Sequence, residues 1–232
     1  MKPELNPNKV VVITGAGVSA ESGIPTFRDS NGLWHTHDVE AIASATGWAN
    51  NPGAVLDFTN QLRLRASQSQ PNAAHLAIAR LQDRYEVIVI TQNVDELHEL
   101  AGSNQVLHVH GNHAYARSSN DTTLTYRIGG RPILMDDTCE RGSQLRPDLV
   151  LFGEPAQHLD EARQHVRSAS KVMIVGTSLT VQPFASLAKL ARGHAKKVLI
   201  SKEIYRHLWG YELRTGLATE LVPRVVEQWL RK

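Results

Sequence analysis

An unbroken run of β-branched residues, Val10-Val11-Val12-Ile13-Thr14, constrains this chain more than any other segment. A strand with no polar alternation is buried on both faces, which calls for a mostly parallel sheet covered by helices on each side. The run passes directly into Gly15-Ala16-Gly17-Val18-Ser19-Ala20, a Gly-x-Gly-x-x-Ala turn. Glycine there lets the backbone come close to a pyrophosphate, and a following helix offers free N–H groups and its positive dipole end to phosphate. The second half of a dinucleotide fingerprint is weaker. Asp38 and Glu40 stand near the usual distance of about 20 residues for a ribose-binding carboxylate, yet no strand leads to them. Pro25 stops helix continuation, so residues 24–29 read as an irregular loop. Taken alone, the segment also fits a tight turn of a flavodoxin-like fold that binds no nucleotide.

Further apolar runs at 86–90, 105–109, 149–152, 171–175 and 197–200 join 10–14 as expected parallel strands. Helical patterns separate several of them: 73–81, introduced by Pro71-Asn72; 184–191, closed by Gly193; and 220–230. This alternation predicts a doubly wound α/β sheet. Two stretches break it. Residues 30–70 carry helical but no strand signals, and 112–144 are polar, Gly-rich and irregular. Both read as insertions that build a smaller module over the C-terminal edge of the strands, where open α/β sheets bind ligands. The expectation is one domain over 1–232, with a large part at 8–29, 71–111 and 145–232 and a small module at 30–70 and 112–144.

A chain of 232 residues suffices for such a domain. Its 25 basic residues are scattered among 23 acidic ones, net +2, which argues against a nucleic-acid partner. No apolar stretch approaches a membrane span, and the polar N-terminus lacks the apolar core of a signal peptide. A soluble, cytoplasmic monomer is expected. The single cysteine, Cys139, excludes an intrachain disulfide.

Five motifs in order then carry a family resemblance: Gly15 to Arg28 (ending Pro-Thr-Phe-Arg), Thr91-Gln92-Asn93-Val94-Asp95, Val109-His110-Gly111, Leu149-Val150-Leu151-Phe152-Gly153-Glu154, and Gly176-Thr177-Ser178. A terminal Gly216-Leu217-Ala218 follows. Together they resemble the sirtuins, NAD-dependent protein lysine deacylases with a Rossmann-like sheet. The resemblance implies NAD as cosubstrate and acyl-lysine proteins or peptides as partners. His110 would be the base that activates a ribose hydroxyl, a task suited to an imidazole that titrates near pH 6.5. Asn93 and Asp95 would serve the nicotinamide site, although both also read as helix caps. Cofactor contacts would come from Gly15, Ala16, Gly17, Ala20, Thr26, Phe27, Arg28, Trp34, Gln92, Gly176, Thr177, Ser178, Ser201, Lys202, Glu203 and Ala218. Val150, Leu151, Phe152 and Gly153 would pair with substrate as a strand.

The chain also departs from the family pattern. Sirtuins commonly hold a structural zinc with two Cys-x-x-Cys pairs in the second insertion. Here Ser118, Asp121, Cys139 and Gly142 stand at those places, and one thiolate cannot make that site. His108, His113 and Asp121 are imaginable substitutes, but metal on His110 would remove the base, so zinc is expected to be absent. An apolar set of Tyr115, Leu124, Tyr126, Ile128, Ile133, Leu134 and Met135 would hold the segment instead. Thr59 and Leu62 stand where acid-selective relatives carry Tyr and Arg, with Arg63 adjacent. NAD hydrolysis or ADP-ribosyl transfer, and an NAD or ADP-ribose sensor without catalysis, are the competing functions.

Overall fold

Val10, Val11, Val12 and Ile13 are fully buried, and they lie on β1 (Asn6–Thr14) at the centre of a six-stranded parallel sheet. The computed structural model describes residues 4–26, 42–203 and 208–231. The sheet contains β1, β2 (Glu86–Thr91), β3 (Val106–His108), β7 (Ala169–Val175), β8 (Lys196–Ser201) and β9 (Glu212–Thr215), in the order β3-β2-β1-β7-β8-β9. Val12 pairs in register with Val89 on one side and Met173 on the other. The chain therefore winds outward from β1 in both directions, and a crevice opens at the strands' C-terminal ends where the winding reverses.

The uninterrupted apolar run follows from two cores. Val10 and Val12 face one core with Ala74, Ala77 and Ile78 of α3 (Ala73–Arg80) and Val222, Val226 and Trp229 of α6 (Ala218–Leu230). Val11 and Ile13 face the other, with Ala162 and Val166 of α5 (Leu159–Ser168) and with Phe184 and Leu187. On α6, Val222, Val225, Val226 and Trp229 recur at helical spacing, which aims one stripe at the sheet.

Four expectations need correction. The 149–152 run is not a strand of the parallel sheet. β6 (Leu145–Leu149) pairs antiparallel with β4 (Gly111–Ser118), which also pairs with β5 (Thr125–Arg127), in a separate sheet ordered β5-β4-β6. A hairpin-type return needs no crossover helix, and none precedes β6. The strands inside 112–144 escaped notice because the buried positions of β4 are small or polar: Asn112, His113, Ala114, Ala116 and Ser118. The 184–191 segment is a 3-10 run, Phe184–Leu190, that leaves helical geometry at Ala191, before Gly193. Finally, no α-helix follows the first glycine turn. Two 3-10 turns, Ala16–Val18 and Ala20–Ser22, replace it, closed by Gly23 in the left-handed region.

The first insertion carries α1 (Ala45–Asn50), capped by Ser44, and α2 (Pro52–Gln68), capped by Asn51. A short α4 (Leu97–Leu100) follows the loop after β2. A small core joins Leu56, Ala116, Ile133, Cys139 and Leu145, flanked by Trp48, Leu124, Tyr126 and Ile128. Leu134 and Met135, expected inside, are exposed. Their place is taken by Leu56 and Trp48, supplied by helices far away in sequence. Among the described residues, no helix is long and apolar enough to cross a membrane.

Candidate functional site

Two glycine turns close on one another at the reversal point. Gly17 N–H donates to the Gly176 carbonyl at 2.9 Å, and Gly15 N–H to the Val175 carbonyl at 3.1 Å. Gly176 has φ of +64°, and a Cβ there would sit 2.8 Å from Gly17 Cα. A side chain at either position would wedge the two turns apart. The Thr177 hydroxyl donates to Gln92 Oε1 at 3.0 Å, which ties this cradle to the loop after β2.

That loop enters a polar network centred on Ser19, which is fully buried. Its hydroxyl accepts from Asn93 Nδ2 at 3.0 Å and donates to Asp95 Oδ2 at 3.1 Å. His75 Nε2 lies 3.4 Å from the same oxygen. The other ring nitrogen of His75 accepts from Asn72 N–H at 3.3 Å in the cap of α3, so the proton sits on Nε2 and points to Ser19. Asp95 Oδ1 accepts from Leu97 N–H at 3.1 Å, which ties Asp95 to the start of α4 while its other oxygen faces Ser19. Burial raises its carboxyl pKa, against the pull of the Leu97 N–H, the Ser19 hydroxyl and His108. Thr14, Thr91 and His98 extend the network: Thr14 Oγ1 donates to Thr91 Oγ1 at 2.8 Å and meets His98 Nε2 at 3.0 Å. Burial drives the His75 pKa down to about 4 and that of His98 far below its usual value.

His110 follows β3 at the mouth of the crevice, its ring 6.3 Å from that of Phe184. Burial lowers its pKa, while a hydrogen bond from the ring to the Gln92 carbonyl pulls the other way. A neutral ring that donates one N–H to Gln92 leaves its second nitrogen as a free base. The His110 carbonyl accepts from Val150 N–H at 2.9 Å. Gly111 makes this possible: with φ of +84°, it passes so near β6 that a Cβ would sit 2.8 Å from Leu149 Cα.

Val150 and Leu151 run on from β6 outside its regular pairing, Phe152 makes an isolated parallel bridge to Ser44, and the chain turns at Gly153. Phe152 N–H donates to the Ala43 carbonyl at 2.8 Å, and its own carbonyl accepts from Ala45 N–H at 3.0 Å. Glu154 fixes the far side, accepting from Arg146 Nη1 at 2.7 Å, Arg117 Nη2 at 3.3 Å and Leu151 N–H at 2.9 Å. The segment thus joins His110 to the first insertion.

The positions expected to replace zinc cysteines do converge, without thiolate chemistry. Ser118 Oγ accepts from Asp121 N–H at 3.2 Å and from Cys139 Sγ at 3.4 Å, and Gly142 N–H donates to the Cys139 carbonyl at 2.8 Å. His108 and His113 lie elsewhere, so the imagined substitute set is not assembled. Among the described residues, no three His, Cys, Asp or Glu side chains converge as metal donors. Thr59 is buried and turns its hydroxyl back onto the Val55 carbonyl, and Leu62 packs beside Phe58. Arg63, only 1% exposed, donates to the His113 carbonyl at 2.7 Å and to Asn60 Oδ1, and burial lowers its pKa to about 10.

Phe27, Arg28 and Trp34 lie outside the described residues. Ala16 and Ala20 open the two 3-10 turns, and Thr26 ends the same segment. Ser178 Oγ pairs with Thr180 Oγ1 at 2.8 Å. Ser201 donates to the Glu203 carbonyl at 2.7 Å, in a bend where Lys202 and Glu203 are exposed. Ala218 packs its side chain into the core at the start of α6, whose neighbour Thr219 donates to Glu21 Oε1 at 2.6 Å. Sequence reasoning overlooked Ser19, His75, His98, Thr14, Thr91 and the Glu99 partner of His108. One signal was available: Asn72 and His75 have the spacing of a capping box.

Opposed glycine turns at a switch point place this chain among the nucleotide-binding α/β proteins. The Sir2 family profile matches residues 15–183, and the chain belongs to that family. It is 50% identical over 178 residues to an NAD-dependent protein deacylase of Helicobacter pylori, covering 77% of each protein. It is 38% identical to one of Vibrio vulnificus, covering 95% of this chain and 93% of that protein. A Sir2 homologue in complex with NAD shares the fold at a TM-score of 0.86 and 35% identity, over 96% of this chain and 90% of that one. A Sir2 protein bound to a deacetylated p53 peptide and 3′-O-acetyl-ADP-ribose matches at a TM-score of 0.80 and 28% identity, over 94% and 92%.

Proposed function

We propose that this chain is an NAD-dependent protein lysine deacylase that moves the acyl group from lysine to ADP-ribose and releases nicotinamide. One observation carries the reading: His110, whose pKa burial lowers and whose ring donates to the Gln92 carbonyl, is bonded through its own main chain to the 150–153 segment. Base and peptide-contacting segment are thereby coupled, which hydrolysis of NAD alone does not require. The pyrophosphate is assigned to the turns at Gly15, Gly17 and Gly176 on the resemblance, and their close mutual packing, which added Cβ atoms would break, fixes the loops that would hold it. When bound, NAD supplies the electrophilic ribose carbon and the hydroxyl that receives the acyl group. Ala16, Ala20, Thr177 and Ser178 extend the cradle, and Gln92 faces the ribose. Asn93 and Asp95 hold the carboxamide. Thr26, Phe27, Arg28 and Trp34 are assigned to the cofactor on the resemblance, as are Ser201, Lys202, Glu203 and Ala218. Val150, Leu151, Phe152 and Gly153 receive the acyl-lysine peptide.

The enzyme reads as a cytoplasmic monomer that needs no zinc. The Ser118–Cys139 contact and the small apolar core support that last point. The test is nicotinamide release from NAD with and without an acetyl-lysine peptide. Release only with peptide is expected. Equal release without peptide would favour hydrolysis, and no release with any acyl group would favour a sensor.

A further inference from the structure

His108 differs from the other histidines of the crevice. Its Nδ1 lies 2.8 Å from the Asn93 carbonyl oxygen and its Nε2 2.7 Å from Glu99 Oε1. Carbonyl and carboxylate oxygens only accept, so both ring nitrogens donate and the ring is an imidazolium. The groups around it are Glu99 and His98 on α4, Asp95 in the loop before it, and Asn112 Nδ2 on β4, 3.5 Å from Nε2. Burial pushes the ring's pKa down, but the Glu99 hydrogen bond and charge, the Asn93 carbonyl and Asp95 outweigh it and leave the value raised. His75, His98 and His110 are shifted the other way, chiefly by burial.

We propose that the charged His108–Glu99 pair is a positioning device, clamping the Asn93 main chain so that Asn93 and Asp95 keep the arrangement on which nicotinamide chemistry depends. This rests on the assignment of those two residues to the nicotinamide pocket. The clamp acts on the main chain, beside the side-chain bonds of Asn93 and Asp95 to Ser19. Asn93 N–H is held by Thr91 Oγ1 at 2.9 Å and the Val94 carbonyl by His113 N–H at 2.8 Å. Between them lies the Asn93 carbonyl, and His108 is its donor among the described residues. Loss of one ring proton sets a nitrogen lone pair against an oxygen lone pair at hydrogen-bond distance. A histidine whose folded pKa is raised contributes fully below its unfolded value near 6.5, and the contribution is lost as pH rises through the folded value. The clamp therefore opens on the alkaline side.

Two variants and one spectrum test this. In the wild-type protein at pH 7, ring ¹⁵N shifts should show both His108 nitrogens protonated. Glu99→Gln keeps the side chain's shape, and should move the alkaline fall of kcat/KM for NAD to lower pH by about one unit or more. His108→Gln should lower kcat/KM for NAD about tenfold or more and lower the melting temperature, with a wild-type circular dichroism spectrum and a cooperative transition above the assay temperature showing that the fold survives. A His108 ring with one bare nitrogen at pH 7 would overturn the proposal. So would a Glu99→Gln pH profile that superimposes on wild type. A wild-type protein that turns over no NAD would defeat the deacylase reading instead, and the ring spectrum would then decide the charge of His108 by itself.

Discussion

Ser19→Ala removes one fully buried oxygen from the crevice. Three partners meet that oxygen: the Asn93 amide at 3.0 Å, the Asp95 carboxylate at 3.1 Å and His75 Nε2 at 3.4 Å. The bond to a charged carboxylate is worth about 1.5–3 kcal/mol, and the Asn93 donor left without a partner costs about 1–3 kcal/mol more. The His75 contact is near the limit of hydrogen-bond distance and adds little. The expected loss is thus about 3–5 kcal/mol, shared between folding and the order of the 92–95 loop. Asp95 also loses a donor that lowers its pKa, so its carboxyl, already raised by burial, rises further. Whatever part falls on NAD use appears in kcat/KM, up to about 10²–10³-fold, since each 1.4 kcal/mol is tenfold. The assay combines nicotinamide release across NAD concentrations with thermal unfolding. A variant within about threefold of wild type in kcat/KM and with an unshifted midpoint would show that the Ser19 hub organises nothing.

His110→Ala should keep NAD binding, measured by calorimetry, and lose deacylation by about 10²–10⁴-fold, the range for a positioned acid or base. A parallel loss of NAD affinity would mark His110 as structural. His75 and His113 are buried neutral, with pKa values near 4 and 3, so each contributes stability above pH 6.5 that drains away as pH falls toward those values. His75 alone accounts for about 3 kcal/mol by pH 4, and urea midpoints should fall steeply between pH 6.5 and 4. Gly176→Ala should destabilise by about 2–4 kcal/mol, from its left-handed backbone and the overlap with Gly17, read as a lower urea midpoint. Elemental analysis should find well under one zinc per chain, with a melting temperature indifferent to chelators. Stoichiometric zinc that Cys139→Ala abolishes would reverse that expectation.

The parallel sheet was legible because burial on both faces leaves a continuous apolar signature, as in residues 10–13 and 87–90. The small sheet was not. Its central strand buries Ala114, Ala116, His113 and Ser118, so neither alternation nor hydrophobic mass announces it. Its core borrows Leu56 and Trp48 from the first insertion, and no local pattern encodes such a loan. At the site, residues within motifs (Gly17, Gln92, Asn93, Asp95, His110, Gly176) came together as read. The residues that orient them did not show in advance. Ser19 looks like filler inside the glycine turn, and the Glu99–His108 pair depends on the close approach of α4 and β3. The 150–153 segment reads as a strand because it is apolar, and Phe152 does bridge in parallel, to Ser44 of the first insertion through main-chain bonds at 43 and 45.

Product identification reaches the central claim most directly. The purified protein is incubated with NAD and an acetyl-lysine peptide, and the products are read by mass spectrometry. The account predicts one O-acetyl-ADP-ribose and one nicotinamide for every lysine freed, and none of these products from His110→Ala at comparable time. Free ADP-ribose with the peptide still acetylated, or ADP-ribose attached to the peptide, would contradict it.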